Sequence, residues 1–433
     1  MMKIVIVGGG AGGLELATYL GNKLGRKGQA DVILIDQNQT HLWKPLLHEV
    51  AAGSLDAEVD SLSYRAHAAA HGFVFKLGRF ENVDKVNRRI ALAQVMDEDG
   101  VEVLPPRSES YDQLVIAIGS SCNDFDTPGV AQYSQFLEQS QQAQKFHRQL
   151  VNYFVKLNRS LIDDPDKILS IVIVGGGATG VELSAELFNA RQLFALYGLE
   201  RVTPEHMRVT LLEAGPRLVP ALAEEVSESV RAELIKLGAD IRLDTRVAKA
   251  EKNAFVTASG EIIEADLMLW AAGVKVPDFV AEIEGLETNR INQILVGPTM
   301  QATTDDSIFV IGDCAGFELD DGHWVPPRAQ SAHQMADVVG KNIIRGMKGK
   351  PLKNFTYRDH GSLVSLSQYT AIGVLMGNFG SGQSLNVRGW VARMAYISLY
   401  RLHQIALHGW FKASLLVVAD KINHIVKPRL KLH

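Results

Sequence analysis

Cysteine is scarce in this sequence, which holds Cys122 and Cys314 among 433 residues and no others. The two lie far apart and form no C-x-x-C or other ligand pattern, so the cysteines predict neither a disulfide framework nor a zinc cluster. Such low cysteine usage is typical of proteins from a reducing compartment. Disulfide reductases need a cysteine pair beside their redox cofactor, so disulfide chemistry is not expected.

Positive charge and long apolar runs are lacking as well. The chain has 44 basic and 49 acidic side chains, a net charge of −5, which gives no support to a nucleic-acid binder. No uninterrupted run approaches the roughly 18 apolar residues that a membrane-crossing helix needs. The first apolar run, residues 4–7, is too short for a secretory signal. We therefore expect a chain that does not span a bilayer, although it can lie on one.

The chain is long enough for at least two domains with their own cores, since 433 residues exceed the usual size of one domain. Apolar residues make up 46% and charged residues 21% of the sequence, which is typical of folded proteins. Its 38 glycines exceed the average share, which indicates that glycine has a role at particular sites.

A glycine turn follows the first predicted strand. Residues 3–7 form an apolar run typical of a buried parallel strand, and Gly8, Gly10 and Gly13 then form G-x-G-x-x-G before a helix. In this context the first glycine permits a tight turn, the second lets backbone approach a pyrophosphate, and the third lets the helix pack on the strand. The helix N-terminus offers N–H groups to the phosphates. Asp36 ends the next predicted strand, where an acid accepts hydrogen bonds from a ribose.

The same pattern occurs a second time. Residues 171–174 lead into Gly175, Gly177 and Gly180, and the letters of this turn nearly repeat those of the first. One such motif is weak evidence, but its repetition predicts two βαβ dinucleotide-binding folds. Glu213 ends the following predicted strand, where a carboxylate binds the ribose diol and repels a 2′-phosphate, which favours NADH over NADPH.

Three further predicted strands end in Gly119, Gly273 and Gly312. Glycine at a strand end allows the backbone to come near a ligand, so Gly119 and Gly273 are candidate cofactor contacts. Asp313 follows the third strand, where it can hold a hydroxyl of a cofactor such as the ribityl chain of a flavin. The alternative is that Asp313 caps the next helix.

Together these residues resemble the flavoprotein fold with two dinucleotide-binding domains. Within it the sequence is most similar to the type II NADH dehydrogenases, the single-subunit NADH:quinone oxidoreductases of bacterial respiratory membranes, and the resemblance runs the whole length. Besides the glycine turns, the stretches that carry it are 41–51 (HLWKPLLHEVA), 403–409 (HQIALHG) and 329–334 (AQSAHQ), the last matching the A-Q-x-A-x-Q signature.

The resemblance implies that FAD accepts hydride from NADH and reduces a membrane quinone, ubiquinone or menaquinone, without proton pumping. It implies FAD contacts at Gly8, Gly10, Gly13, Asp36 and Asp313, and we assign Gly119, from its strand-end position, to the same cofactor. The resemblance also implies NADH contacts at Gly175, Gly177, Gly180 and Glu213, and we assign Gly273, from its strand-end position, to NADH. It also implies that Glu182 lies near the nicotinamide and the flavin, and that Gln330 and Gln334 belong to the quinone pocket.

From the residues alone, the roles of these last three side chains stay open. Gln330 and Gln334 are spaced i, i+4 and share one face of a helix, where they can donate to a quinone carbonyl or be ordinary surface glutamines. Glu182 lies near a helix start, where the helix dipole by itself favours an acid. His333 is predicted to be a packed or surface histidine.

Basic charge is concentrated near the C-terminus: residues 388–433 carry a net charge of +7, against −12 for the remainder. On a helical wheel Arg393, Arg401, His408 and Lys412 fall on one arc, and the pattern resumes after a glycine. The predicted apolar stripe consists of Val391, Ala395, Leu399, Leu402, Ala406, Leu415, Val418, Ile422, Ile425 and Val426. Two basic amphipathic helices are typical of a segment that lies on anionic lipid, and a dimerisation or core-covering helix pair is the alternative.

We therefore predict an α/β chain with an FAD domain (1–165 and 287–345), an NADH domain (166–286) and a membrane-associating region (346–433). The predicted location is the cytoplasmic face of the bacterial inner membrane, as a peripheral protein and a possible homodimer. Three alternative functions remain open. A sulfide:quinone reductase would need cysteines beside the flavin, a ferredoxin reductase would not need the basic tail, and a flavin-based NADH sensor would turn over slowly.

Overall fold

A computed structural model describes residues 1–97, 99–196, 198–366, 370–376 and 384–426. The helices are α1 (Ala11–Lys23), α2 (Leu47–Ala52), α3 (Ala57–Asp60), α4 (Tyr64–His71), α5 (Val130–Tyr133), α6 (Ser140–Ser160), α7 (Ala178–Leu196), α8 (Glu224–Leu237), α9 (Ala329–Gly346) and α10 (Trp390–Val426). The predicted basic residues Lys427, Arg429 and Lys431 lie outside the described residues.

The strands of the first half are β1 (Met2–Val7), β2 (Ala30–Asp36), β3 (Thr40–His41), β4 (Leu62–Ser63), β5 (Val74–Leu77), β6 (Phe80–Asp84), β7 (Arg89–Leu92), β8 (Val95–Met96), β9 (Glu102–Leu104), β10 (Arg107–Ser110), β11 (Gln113–Ile116), β12 (Leu169–Val174) and β13 (Met207–Leu212). Those of the second half are β14 (Asp240–Arg242), β15 (Val247–Glu251), β16 (Ala254–Thr257), β17 (Ile262–Glu264), β18 (Leu267–Trp270), β19 (Ile294–Leu295), β20 (Gln301–Ala302), β21 (Asp305–Val310), β22 (Ala315–Gly316), β23 (Gly361–Leu366), β24 (Thr370–Met376) and β25 (Ser384–Arg388).

The first sheet has six strands in the order β20-β21-β11-β1-β2-β5. Strand β1 lies between β2 and β11 and is parallel to both, and β21 and β5 continue the parallel arrangement. Side chains such as Ile4, Val5 and Ile6 are completely buried although they alternate between the two faces. A parallel sheet covered on both faces produces this continuous apolar run, so the sequence pattern and the fold agree.

The second sheet has four parallel strands in the order β14-β13-β12-β18. Strand β12 lies between β13 and β18, as β1 lies between β2 and β11. Each glycine turn therefore follows a central strand, and each predicted ribose acid follows or ends the neighbouring one. The predicted pair of Rossmann-like folds is confirmed.

The chain passes between the two sheets at Ser121 and Lys275, which pair with each other. The N–H of each donates to the carbonyl of the other, at 2.8 and 3.0 Å. Helix α6, between the first crossing and the second sheet, buries Phe146 and Phe154 in the core of the second sheet. Val276, directly after the second crossing, is buried in the core of the first sheet.

The C-terminal region begins with the antiparallel strands β23, β24 and β25 and continues into helix α10. Helix α10 is interrupted at Gly409, whose φ of 76° and ψ of 160° are not helical, a conformation that glycine adopts without steric cost. The two predicted helical segments on either side of this glycine are thus present. Among the residues that the structure describes, no helix combines the length and apolar character needed to cross a bilayer.

Candidate functional site

One cleft of about 2920 Å³ is lined by residues of the first sheet, of the second glycine turn with helix α7, and of helices α9 and α10. The predicted residues that line it are Gly8, Gly10, Gly13, Asp36, Gly119, Gly177, Glu182, Asp313, Gln330 and Gln334. The predicted residues outside its lining are Gly175, Gly180, Glu213 and Gly273. The fold therefore brings the first glycine turn, the buried acid and the two glutamines to one place.

The first glycine turn leaves open space beside its middle glycine. Gly8 has a φ of 98°, and a Cβ there would meet the carbonyl of Ala117. A Cβ on Gly13 would meet the carbonyl of Gly8, so helix α1 can pack this close only with glycine at position 13. Gly10 has no atom within 4 Å of its Cβ position. The space beside Gly10, at the N-terminus of α1, is free for a phosphate group.

Two carboxylates flank this turn. Asp36 accepts the N–H of Gly9 on Oδ2 at 2.6 Å and the N–H of Asn38 on Oδ1 at 2.7 Å. A carboxylate offers about four acceptor sites, so capacity for a ribose hydroxyl remains, and burial raises the pKa of Asp36. Asp313 accepts the hydroxyl of Ser120 at 2.6 Å. It lies inside a short 3₁₀ turn and does not cap helix α9, which begins at Ala329.

The second glycine turn has the same geometry as the first. Gly175 has a φ of 113°, and a Cβ there would lie 2.7 Å from the carbonyl carbon of Ala271. A Cβ on Gly180 would meet the carbonyl of Gly175, whereas Gly177 has open space around its Cβ position. The structure thus offers a second place where backbone can approach a pyrophosphate at a helix N-terminus.

Glu213 accepts one backbone N–H from this turn and one from the loop that follows Glu213 itself. Oε2 accepts the N–H of Gly176 at 2.6 Å, and Oε1 accepts the N–H of Gly215 at 2.7 Å. The first of these bonds is equivalent to the one that Asp36 makes in the first turn. Gly273 has a φ of 69°, and a Cβ there would lie 2.6 Å from the ring of Phe125, an exposed side chain.

Glu182 lies close to two other carboxyl groups, and the residue is 6% exposed. Oε1 accepts the N–H of Ser365 at 3.0 Å, and Oε2 lies 3.5 Å from Nδ1 of His48. Burial raises the pKa of Glu182 to about 8, and the nearby Glu49 and Glu186 raise it as well. Glu182 is therefore protonated at neutral pH and can act as a proton donor.

The neighbours of Glu182 are also held in their uncharged forms. Burial, followed by the charge of Glu186, raises the pKa of Glu49 to about 8. Burial lowers the pKa of His48 to about 4. Nε2 of His48 is buried without a hydrogen-bond partner among the described residues, and the side chain lines the cleft. An orphaned buried polar atom of this kind is expected where a bound group completes the site.

Gln330 and Gln334 lie on one face of α9 and both bond the extended segment that precedes β23. Nε2 of Gln330 donates to the carboxylate of Asp359 at 3.2 Å and to the carbonyl of Gly361 at 3.1 Å. Nε2 of Gln334 donates to the carbonyl of Arg358 at 2.8 Å, and its Oε1 accepts the N–H of the same residue at 3.0 Å. Both side chains thus make specific contacts at the edge of the cleft.

Sequence reasoning missed a hydrogen-bonded chain that joins three helices. Glu15 of α1, 7% exposed, contacts Nδ1 of His403 at 2.6 Å and Nδ1 of His333 at 2.5 Å. Nε2 of His403 lies 3.0 Å from Nε2 of His41, whose Nδ1 lies 2.9 Å from the carbonyl of Gly9. Burial opposes ionisation of Glu15, but the two histidine bonds outweigh it and lower the pKa of Glu15.

This chain connects helix α10 to the first glycine turn. The stretches that resemble the family include His41 and His403, which was the available signal, but spacing assigns neither of them a partner. Glu15 reads as an ordinary helix residue. His333, expected to be a packed or surface histidine, is exposed, and its hydrogen bond to Glu15 raises the pKa of His333.

The residues present fit FAD on the first turn and NADH on the second. Each turn has an open middle glycine at a helix N-terminus and an acid with spare acceptor capacity. The cysteines fit no disulfide chemistry, because burial raises the pKa of Cys122 and of Cys314 to about 12 and keeps both thiols protonated.

Comparison with known proteins agrees with this geometry. The sequence matches the pyridine nucleotide-disulphide oxidoreductase family over residues 2–336. It is 50% identical to the type II NADH:quinone oxidoreductase of Haemophilus influenzae over the full length of both chains. It is 29% identical to the enzyme of the same description from Staphylococcus saprophyticus, over 87% of this chain and 90% of that one.

Solved structures show the same fold. NDH2 from Plasmodium falciparum, in complex with NADH, has a TM-score of 0.82 at 18% identity and covers 100% of this chain and 99% of its own. The sulfide:quinone oxidoreductase from Aquifex aeolicus has a TM-score of 0.74 at 17% identity, with 98% and 95% covered. On the family match and the full-length identity to a relative, this chain belongs to the pyridine nucleotide-disulphide oxidoreductases and, among them, to the type II NADH:quinone oxidoreductases.

Proposed function

We propose that this protein transfers electrons from NADH to a membrane quinone, with FAD bound at the first glycine turn. The observation that carries the proposal is that a single cleft joins the open side of Gly10 to Glu182 and to both glutamines. FAD, when bound, accepts a hydride from NADH and passes electrons to the quinone, while the protein supplies orientation and electrostatics.

The proposed FAD contacts are centred on the first glycine turn, and the proposed NADH contacts on the second. FAD is held by Gly8, Gly10, Gly13, Asp36, Gly119 and Asp313. NADH is held by Gly175, Gly177, Gly180, Glu213 and Gly273. The two acids of these sets bind ribose hydroxyls, Asp313 binds the ribityl chain, and the helix N-termini bind the phosphates.

Glu182 is proposed as the acid of the quinone half-reaction. Reduction of a quinone to a quinol consumes two protons, so the site needs a group that holds a proton at neutral pH. Burial keeps the pKa of Glu182 at about 8 and so keeps its proton in place. Such a group donates efficiently because its pKa lies close to the working pH.

We propose different roles for Gln330 and Gln334. Both amide hydrogens of Gln330 are engaged by Asp359 and Gly361, so Gln330 positions the segment before β23. Nε2 of Gln334 donates to one carbonyl, that of Arg358, and an amide nitrogen carries two hydrogens. The second hydrogen of Gln334 is proposed to bond a quinone carbonyl.

We propose a domain division in which the NADH domain begins and ends earlier than the predicted bounds of 166 and 286. The paired crossings at Ser121 and Lys275 separate the two sheets, and α6 packs in the core of the second sheet, to which helix α2 also contributes Leu47 and Val50. We therefore place the NADH domain between these two residues. The FAD domain comprises the chain before Ser121 and the stretch from Val276 to the end of α9, and the remainder is the membrane-associating region.

Helix α10 is proposed to bind an anionic lipid surface, on the cytoplasmic face of the bacterial inner membrane. Its inward face buries Ala392, His403, Leu407 and Ala413. Its outward face exposes Met394, Leu399, Leu402, Ile405, Ala406, Trp410, Phe411, Leu415, Val418 and Ile422. Contiguous exposed apolar side chains mark an interaction surface, and nearby basic residues favour lipid of negative charge. A second copy of the chain is the competing occupant.

Replacing Trp410 and Phe411 with serine is expected to release the protein from anionic vesicles. These side chains are 72% and 62% exposed, and burying a large apolar side chain contributes ~1.5–3 kcal/mol. Vesicle affinity should therefore fall at least about tenfold, as measured by co-sedimentation. The matched control replaces Val86 and Ile262, which are exposed elsewhere, and should bind normally. Unchanged sedimentation together with loss of a dimer would favour the second copy instead.

Replacing Glu213 with arginine is expected to shift cofactor preference towards NADPH. The carboxylate repels a 2′-phosphate, and arginine would attract it. The ratio of kcat/KM for NADPH over NADH should rise roughly tenfold or more, since a charge-assisted hydrogen bond is worth ~1.5–3 kcal/mol. Glu213→Gln keeps the shape of the side chain and removes its charge, so the same ratio should rise less in this variant. An unchanged ratio in both variants would count against the assignment of Glu213.

The proposed function is tested by anaerobic titration of the purified yellow protein with NADH, followed by a short-chain quinone. The flavin absorbance should bleach on NADH addition and return on quinone addition. Steady-state turnover should fall in the ordinary range above about 1 per second. Slower turnover would favour a redox sensor, and a flavin that NADH cannot bleach would contradict the proposal.

A further inference from the structure

Three histidines from two helices meet outside the cleft. His67 and His71 lie on α4 at i, i+4 spacing, and His408 lies on α10 directly before the interruption at Gly409. One ring nitrogen from each of the three lies within 4.8 Å of the others. His67 is 4% exposed, and the other two are half-buried. Neither the proposed electron transfer nor the cleft uses any of them.

Helix α1 orients two of these rings from behind. The Thr18 hydroxyl donates to the carbonyl of Leu14 at 2.7 Å and lies 2.8 Å from Nε2 of His67. Because its one proton is already donated, the Thr18 oxygen must accept from Nε2–H, which leaves the lone pair of Nδ1 on His67 free. The Asn22 amide lies within 3.3 Å of Nδ1 of His71, which leaves Nε2 of His71 for the cluster. Metal-binding histidines are typically held by such outer partners.

The three imidazoles are also in the protonation state that metal binding requires. Burial, followed by the charges of neighbouring histidines, lowers the pKa of His67 to about 3. Burial lowers the pKa of His71 and of His408 below the usual range. All three rings are therefore neutral at pH 7, with lone pairs available without the release of a proton.

We propose that His67, His71 and His408 bind a zinc ion that ties helix α10 to helix α4. Zinc accepts three imidazole ligands and a water in tetrahedral geometry, with Zn–N distances of about 2.0–2.1 Å. Nitrogens on one tetrahedral ion are about 3.3 Å apart, so ring nitrogens that lie within 4.8 Å of one another need to approach by at most about 1.5 Å. The ion would fasten the proposed lipid-binding helix to the FAD domain just before the point where that helix is interrupted.

Two cationic side chains near the histidines allow a test of the direction in which zinc affinity changes. Lys412 lies four residues beyond His408 in the sequence and, with Arg26, is among the charges that lower the pKa of His71. These charges oppose a bound cation, so zinc affinity should be moderate. Lys412→Gln is expected to tighten zinc binding several-fold, whereas a zinc ion bound elsewhere on the surface would not respond.

The experiment uses full-length protein, with FAD and without a polyhistidine tag, after dialysis against a chelator. Titration with Co²⁺ should yield one equivalent per chain with the visible bands of four-coordinate cobalt, and Zn²⁺ should displace it. His71→Ala and His408→Ala should each weaken binding at least about tenfold. Both remove half-buried rings, so both variants should keep their flavin and their fold. His323→Ala removes an exposed histidine and is the control that should bind normally.

A thermal readout independent of activity completes the test. Zinc that binds the folded state should raise the melting temperature of the wild-type protein and of His323→Ala, and leave His71→Ala and His408→Ala unmoved. Equal zinc binding by the wild-type protein and a doubly substituted His71→Ala/His408→Ala protein would overturn the proposal. Absence of binding to the wild-type protein would overturn it equally. Neither result bears on electron transfer from NADH, which is measured separately.

Discussion

Gly10→Val is expected to yield a folded protein that binds no FAD. Gly10 has a φ of −64° and a ψ of −168°, which valine can adopt, and no atom lies within 4 Å of its Cβ position. The folded chain therefore accommodates the side chain at little cost, roughly 1 kcal/mol at a helix N-cap. The same side chain fills the space that the proposed FAD phosphates need. Flavin content should fall at least about tenfold, as measured by absorbance and by released FAD.

Gly177→Val is the matched variant in the second turn. Its Cβ position is equally open, so the variant should fold and remain yellow, while the KM for NADH rises at least about tenfold. Circular dichroism shows whether both variants are folded. A yellow Gly10→Val protein with normal flavin content, or a colourless Gly177→Val protein, would refute the assignment of the two cofactors to the two turns.

Glu182→Gln is expected to slow quinone reduction by about a hundredfold or more, the usual range for loss of a general acid. The amide keeps the size of the side chain but carries no transferable proton. Reduction of the bound flavin by NADH, measured by stopped-flow absorbance without quinone, should change far less. If both half-reactions slow equally, Glu182 positions the cofactors and does not supply a proton.

The pH dependence provides a second readout on the same carboxyl group. With a pKa of about 8, Glu182 keeps its proton at neutral pH and loses it as the pH rises further, so quinone reduction should fall above about pH 8. Glu182→Gln should lack this fall. Glu49 raises the pKa of Glu182, so Glu49→Gln should move the fall to lower pH. A fall at the same pH in all three proteins would assign it to another group.

The raised pKa of Glu182 should also make the stability of the folded protein depend on pH. Burial raises the pKa of Glu182 above its ordinary value of 4.5 in the folded protein, so the folded state holds this proton more tightly than the unfolded state does. The contribution of the Glu182 carboxyl group to folding stability is fully present below about pH 4.5 and is lost as the pH rises through about 8. Glu182→Gln should therefore gain stability over the wild-type protein at pH 9 relative to pH 5.

Much of the fold was predictable because it depends on local patterns. Buried parallel strands produce continuous apolar runs, and both glycine turns need glycine at positions where a Cβ would meet backbone, as at Gly8 and Gly175. The interruption of α10 at Gly409 was likewise visible in the spacing of basic and apolar residues. These features involve residues close together in the chain, so a pattern of one-letter codes is sufficient to indicate them.

The polar networks could not be obtained in this way. Glu15 meets His403 across 388 positions of sequence, and His408 meets His67 and His71 from another helix. Glu182 was a candidate from the first, but its raised pKa depends on burial and on Glu49.

The amino-acid order therefore contains the two dinucleotide turns, their acids and the amphipathic C-terminal helix, because strands, turns and helical faces follow from short-range spacing. Which side chains share a proton, stay neutral or converge on a common ion depends on folding in three dimensions. Desolvation and hydrogen bonding between distant segments control ionisation and ligand geometry, and both exist only once those segments are packed together.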